Sequence, residues 1–393
     1  MPWKETCIVN ERIKLIGEYL SGGYSVSELA RRYGVSRKAV YKWIERHGEE
    51  GPEGLKDRTR APHHHPQAVK EEVVKRILEL KAQWPKWGAP KLLARLRQEI
   101  GRDRSPAEST VSEILRRHGL SFRRKKRRKA TYSETPLKHC WEANDVWSAD
   151  FKGWFRTGDG SKCTPLTITD NYSRYLLRCQ GLGDSTDGRI VKLIFESAFQ
   201  EYGMPESIRT DNGSPFASTG LCGLTRLNVW WLRLGIELER IEPGNPQQNG
   251  RHERMHRTLK ENVINPAQRT LRQQQEAFDR FQQEYNEERP HEALEQRPPI
   301  EFYAASRREY PSRLPDPREY PEAWERRTVR KGGQMKWRGQ DVRISDALWG
   351  ERVGLEPTDD GIWTVWFESM PLGRLDERQK RVILAKQINK QEN

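Results

Sequence analysis

The 393 residues allow about two to four domains. At 32% charged residues and a mean hydropathy of −0.95, the chain has no apolar run able to cross a bilayer; the densest is Val229-Trp230-Trp231-Leu232. Of the net charge of +14, the whole excess lies in front: residues 1–140 hold 32 Lys/Arg against 17 Asp/Glu, and residues 141–393 hold 38 against 39, which points to a polyanion-binding front end on a near-neutral body and to no membrane partner.

Residues 1–50 read as a first helical domain. Met1-Pro2-Trp3-Lys4-Glu5 carries no secretory signal. Ile13, Leu15, Ile16 and Leu20 recur near helical spacing, Ser25-Val-Ser-Glu28 is a capping box, Gly34 supplies a turn, and Ser36 caps a third helix. That helix is expected to bury Val40, Trp43 and Ile44 and to present Arg37, Lys38, Tyr41 and Lys42, the pattern of a DNA-binding helix-turn-helix. A linker follows at 51–65; its His63-His64-His65 lacks the further ligands that a metal site needs.

Residues 66–122 repeat the theme. A helix at 67–81 is followed by Trp84-Pro-Lys-Trp87-Gly88 and a helix bearing Leu92, Leu93 and Leu96. Ser105-Pro106-Ala-Glu108 reads as the cap of a last helix that buries Val111, Ile114 and Leu115 and ends on Arg116 and Arg117. The linker 123–140 opens on seven consecutive cations, Arg123, Arg124, Lys125, Lys126, Arg127, Arg128 and Lys129, able to track phosphates.

From 141 the texture becomes α/β. Strands are expected at 146–151, 162–169 and 174–181, and a helix at 186–202 with Ile190, Leu193, Ile194 and Phe199 on one face. A strand at 206–210, a helix at 221–233, a strand at 236–240 and helices from 250 and over 267–288 complete a core spanning 141–308. After a linker at 309–325, residues 326–393 alternate in short strands between Gly-rich turns, the texture of a small β-barrel. The five cysteines (7, 140, 163, 179 and 222) form no CxxC, which argues against a disulfide framework or zinc ribbon and for a reducing compartment.

Three acids stand out by position. Asp150 lies in a strand, Asp211 ends one, and Glu253 lies early in the helix after Asn249-Gly250. Carboxylates from separate elements of one sheet can converge on hard divalent cations, and a pair of such ions drives phosphodiester chemistry. Arg257 and Lys260 fall at i+4 and i+7 from Glu253 and share its face, where they can meet a phosphate. His252-Glu253-Arg254-Met255-His256 is also a literal H-E-x-x-H, a zinc-peptidase pattern; Leu259 and Asn262 do not continue its longer form, and Arg251, Arg254, Arg257 and Lys260 would repel the ion.

The set Trp147-Ser-Ala-Asp150, Thr169-Asp-Asn-Tyr-Ser173-Arg174, Arg209-Thr-Asp211-Asn-Gly213, Asn245-Pro-Gln-Gln-Asn249-Gly250-Arg-His-Glu253 and Tyr285-Asn286 with Arg289-Pro290-His291 resembles integrase-type insertion-sequence transposases of the DDE group. The resemblance covers about 141–303. It implies two helix-turn-helix domains, a ribonuclease H-like core and an SH3-like barrel. It further implies that Asp150, Asp211 and Glu253 form the catalytic triad and ligate two Mg²⁺, for which Mn²⁺ substitutes. The implied activity is cleavage of DNA 3′ ends and their joining to target DNA, by a multimer assembled on double-stranded DNA in the bacterial cytoplasm at the nucleoid. The 41 residues between Asp211 and Glu253 exceed the usual spacing, and the extra length is expected in 214–232. Two other readings stand beside it, a catalytically silent regulator derived from a transposase and a zinc metallopeptidase.

Overall fold

The computed structural model describes residues 7–58, 68–121, 137–242, 245–379 and 381–383. The runs 63–65 and 123–129 singled out above lie outside them. The chain divides into two compact units, 1–69 and 70–393.

In the first unit, α1 (Ile8–Leu20), α2 (Val26–Arg32) and α3 (Arg37–Glu50) enclose Leu15, Ile16, Leu29, Val40, Trp43 and Leu55. Ser25 and Glu28 close the capping box that starts α2, and the Ser36 hydroxyl accepts from the Ala39 N–H to start α3. Arg12 is held over the Trp43 ring at 3.8 Å and donates to the Leu55 carbonyl, which ties the end of the unit back to its first helix.

The second unit opens with α4 (Glu71–Gln83), α5 (Ala89–Ile100) and α6 (Glu108–Arg117). The expected Ser105 cap is not formed. The Ser105 hydroxyl donates to the Gly101 carbonyl instead, Ala107 takes the N-cap position, and the helix starts at Glu108, leaving Pro106 ahead of it. This bundle is seated on the core through α5. The Trp87 indole N–H donates to Glu284, and the Lys91 ammonium donates to the Pro290 carbonyl. Burial, followed by the nearby charge of Arg289, pushes the Lys91 ammonium down from its usual 10.5 to about 7. Below pH 7 both folded and unfolded chains carry the proton and the burial penalty is complete. Between about 7 and 10.5 the unfolded chain binds more protons, so stability should rise with pH. Lys91→Met should flatten that rise in denaturant titrations run from pH 7 to 10; an unchanged slope would place the effect elsewhere.

The core sheet is built from β1 (Val146–Phe151), β2 (Phe155–Arg156), β3 (Lys162–Asp170), β4 (Leu176–Leu182), β5 (Ser207–Thr210) and β6 (Glu237–Arg240). β4, β3 and β1 run antiparallel in that order, and β5 and β6 follow beside β1, parallel to it, while β2 extends the β1 edge of β3. This is the mixed arrangement expected of a ribonuclease H-like core. Helices α7 (Gly188–Tyr202) and α8 (Arg226–Arg233) pack on one face around Trp147, Phe195, Phe199 and Trp231. The opposite cluster joins Cys163 and Cys179 of the sheet to Met255 and Leu259 of α9 (Gly250–Leu259) and Phe278 and Phe281 of α10 (Leu271–Gln283). The buried stripe of α7 is Val191, Phe195, Ala198 and Phe199, whereas Ile190 and Leu193 are exposed, a correction of about one residue in helix phase. The helix expected from 221 starts only at Arg226: a short 3₁₀ turn at Leu221–Gly223 precedes it, and Thr225 and Asn228 form its capping box.

The C-terminal region is β-rich but open among the described residues. Strands β7 (Glu325–Thr328), β10 (Arg352–Asp359), β11 (Ile362–Phe367), β12 (Met370–Asp376) and β13 (Arg381–Ile383) form one antiparallel sheet, and β8 (Gln334–Trp337) forms a ladder with β9 (Gln340–Arg343). No ladder joins the two, so the expected barrel is not closed by strand pairing among the described residues. Its core, including Met335, Val353 and Phe367, also takes in Leu224, Val229 and Leu232, which fixes this region against the α8 side of the integral second unit.

Candidate active site

Parallel pairing of β1 with β5 sets Ala149 opposite Thr210, so the next residues, Asp150 and Asp211, leave neighbouring strands at the same end. Asp211 begins a tight turn: the Gly213 N–H donates to its Oδ1 at 3.1 Å, and Asn212 Nδ2 donates to the Ile241 carbonyl. Asp150 is largely buried. Burial first, and then the Asp211 charge, push its carboxyl up to about 7, against the anion-favouring N–H of Phe151 and side chain of Asn249.

Helix α9 crosses this strand end. Asn249, His252, Glu253 and His256 fall at i, i+3, i+4 and i+7 and form one stripe. At one end Asn249 Nδ2 donates to Asp150 Oδ2 at 2.9 Å; at the other, His256 Nδ1 lies 3.9 Å from the same oxygen. Glu253 lies between these two contacts in sequence but is exposed, on the solvent edge of the stripe with Arg257 and Lys260, which are also exposed.

The two imidazoles turn inward. Thr167, opposite Asp150 across the β1–β3 ladder, places its hydroxyl 3.1 Å from the Asp150 carbonyl, 2.6 Å from His252 Nε2 and 2.7 Å from His256 Nε2. Thr169, two residues on and thus on the same face, lies 3.1 Å from His252 Nδ1. Burial lowers His252 to about 3 and His256 to about 2, so both rings are neutral. A peptidase zinc site needs both imidazoles and the intervening Glu to face one ion. Here a threonine hydroxyl occupies the point on which both Nε2 atoms converge, and Glu253 faces the other way, which removes the structural basis of the zinc-peptidase reading.

Among the described residues, the metal-ligand atoms that lie within 4.8 Å of one another belong to Asp150, His252 and His256. Asp150 and Asp211 are thus neighbours, Glu253 stands on the helix across from them, and the three carboxylates are not gathered as tightly as that cluster. Asp170, a fourth acid of the sheet, is occupied structurally, accepting from the N–H of Asn144 and from the N–H and hydroxyl of Ser173. Sequence reasoning gave no role to Asn249 or Thr167. Asn249 stood one helical turn before Glu253, and Thr167 and Thr169 alternate on one strand face, but nothing local told what they face.

Without metal, the raised carboxyl of Asp150 costs stability. Below its ordinary value of 3.8 both states hold the proton; as pH rises toward about 7 the unfolded chain loses it first, and stability falls across that window. Metal-free Asp150→Asn should therefore melt above wild type at pH 8 and converge with it near pH 4. Equal melting at pH 8 would contradict the burial account.

The remaining expected DNA contacts divide. Arg37, Lys38, Tyr41 and Lys42 are all exposed on α3, Tyr41 at 61%. Arg116 and Arg117 are exposed on α6, but both bind Glu113, at 2.7 and 2.9 Å.

Comparison with known proteins gives a consistent series of family matches. Integrase core domain models match residues 142–246 and 234–299, a helix-turn-helix domain matches 11–63, a homeodomain-like domain 39–115, and the C-terminal domain of IS481 family transposases 325–383. The chain is similar to an uncharacterized 31.7 kDa protein of insertion element IS407 from Burkholderia multivorans, 27% identical over 62% of this chain and 84% of that one. It is also similar to the transposase for insertion sequence element IS904 from Lactococcus lactis, 26% identical over 40% of this chain and 61% of that one. Among solved structures, the HTLV-2 integrase catalytic core in complex with magnesium aligns at 15% identity over 42% of this chain and all of that one, with a TM-score of 0.33. A simian T-cell lymphotropic virus intasome aligns at 17% over 75% of this chain and 97% of that one, with a TM-score of 0.37.

Proposed function

We propose that this chain is an integrase-type insertion-sequence transposase that cuts the 3′ ends of its element and joins them to target DNA. The observation that carries this reading is the strand end where Asp150 and Asp211 leave adjacent parallel strands beneath the α9 stripe of Asn249, Glu253 and His256. The donor set suits a hard divalent cation: two carboxylates stand close enough for one to raise the other's affinity for a proton, a repulsion that a cation relieves. Asp150, Asp211 and Glu253 would hold two Mg²⁺, or Mn²⁺ in their place. These ions supply Lewis acidity and charge neutralisation for in-line displacement at phosphorus.

The protein's own groups do the rest. Asn249 orients the Asp150 carboxylate, and Thr167 anchors the backbone carbonyl of the same residue. Arg257 and Lys260 meet the scissile phosphate, and the exposed face of α3 docks on the terminal repeat as a helix-turn-helix. The seven cations of 123–129 add sequence-independent attraction to phosphates. The β-rich C-terminal region contacts further DNA or a second protomer. Two ends must be joined, so the working form is a multimer on DNA, acting in the bacterial cytoplasm at the nucleoid.

Incubated with a labelled terminal repeat and Mg²⁺, the full chain should nick one strand and expose a 3′-OH. Tight binding of the repeat with no nick under Mg²⁺ or Mn²⁺ would assign the chain to the silent regulators instead.

A further inference from the structure

The contacts around Thr167 settle where each imidazole keeps its hydrogen. A threonine hydroxyl has one hydrogen and two lone pairs. The Asp150 carbonyl can only accept, and with Thr167 donating to it the hydroxyl is left to accept from both neighbours. His252 and His256 therefore each carry their hydrogen on Nε2. The remaining nitrogen of His252 is used, because the Thr169 hydroxyl donates to Nδ1. Among the described residues no hydrogen bond reaches the remaining nitrogen of His256, and its lone pair faces the Asp150 carboxylate at 3.9 Å. A lone pair facing an ionised carboxylate is repulsive, and a cation between them relieves that repulsion, as a proton on the acid also does. Two ligand bonds of about 2.1 Å span at most about 4.2 Å, so one ion can bridge this separation.

We propose that His256 Nδ1 is a ligand of the cation held at Asp150, so that this centre is a mixed nitrogen–oxygen site rather than an all-carboxylate one. The inference rests on the metal-dependent reading above and adds to it the identity of a ligand. Two consequences follow from imidazole chemistry. The site should favour Mn²⁺ or Co²⁺ over Mg²⁺ more strongly than carboxylates alone would, because imidazole is a poor partner for Mg²⁺. The Thr167 hydroxyl becomes the group that fixes the ligating tautomer, as carbonyls and carboxylates do for metal-bound histidines elsewhere.

The test is pulsed electron paramagnetic resonance of Mn²⁺ on the full chain without DNA. Wild type should show the modulation of one directly bound ¹⁴N. Labelling with ¹⁵N-histidine, which disturbs no contact, should convert that pattern to ¹⁵N. His256→Asn should abolish the coupling and weaken Mn²⁺ binding by about tenfold or more, with a smaller loss for Mg²⁺. Should His256→Asn fail to fold, the labelled wild type compared with Asp150→Asn decides the matter alone. Mn²⁺ bound in an Asp150-dependent way without nitrogen coupling overturns the inference and leaves the metal-dependent reading standing. Coupling that survives His256→Asn overturns the assignment to this residue. Mn²⁺ that does not bind, or binds Asp150→Asn equally well, overturns both.

Discussion

Glu253→Gln should reduce joining of element ends by about 10³-fold or more, equivalent to about 4 kcal/mol of transition-state stabilisation, and leave binding of those ends unchanged. The expectation is sharp because Glu253 is exposed and no hydrogen bond or ion pair among the described residues uses its side chain. The substitution keeps size and helix propensity and removes only the charge. A structural role therefore predicts almost no effect, whereas a role in holding a cation predicts near-complete loss. The checks are a quantitative strand-transfer assay and gel-shift titration on the same protein sample. Loss within a few fold of wild type would remove Glu253 from the triad.

Thr167→Val should cost about 2–6 kcal/mol of stability, since it preserves shape but leaves two buried imidazole N–H groups without an acceptor, at about 1–3 kcal/mol each. It should also loosen α9 from β3, so activity falls before the fold is lost. Thr167→Ser retains the hydroxyl and should stay within about 1 kcal/mol of wild type, the loss of one buried methyl. Denaturant midpoints at constant m separate the two variants. A Val variant as stable as the Ser variant would show that the hydroxyl is not the anchor.

How far the sequence reaches depends on whether the deciding contact is local. The capping box of Ser25 and Glu28 is complete within four residues and forms as expected. The Ser105 cap is equally local, yet Ser105 has a competing acceptor in Gly101, four residues earlier, and the pattern does not say which one wins. Helix α7 carries apolar residues at 190, 191, 193, 194, 195, 198 and 199, an arc too broad for periodicity to fix its phase; only the position of the sheet selects Val191 and Phe195. In the C-terminal region the Gly-rich turns mark the strands, but whether a sheet closes depends on register and bulges, such as those between Pro357 and Asp359 and between Val365 and Trp366.

The site divides along the same line. Asp150 and Asp211 are legible because a strand and its terminal turn are written in adjacent residues. The exposed face of Glu253, Arg257 and Lys260 follows from helix geometry alone. The inward histidines were legible only as a spacing that also fits a peptidase. What separates the two is Thr167, 85 residues before His252 and brought to it by the sheet.

The most direct test of the account is joining itself. Purified full-length protein, a pre-cleaved element end labelled at its 3′ strand, a target plasmid and Mg²⁺ should yield a covalent end–plasmid product that chelation of the metal prevents. Sequenced junctions should place the element's 3′ terminus directly on target DNA, with no protein left attached. Tight end binding without joined product in either Mg²⁺ or Mn²⁺, or a product formed equally well after chelation, would contradict it.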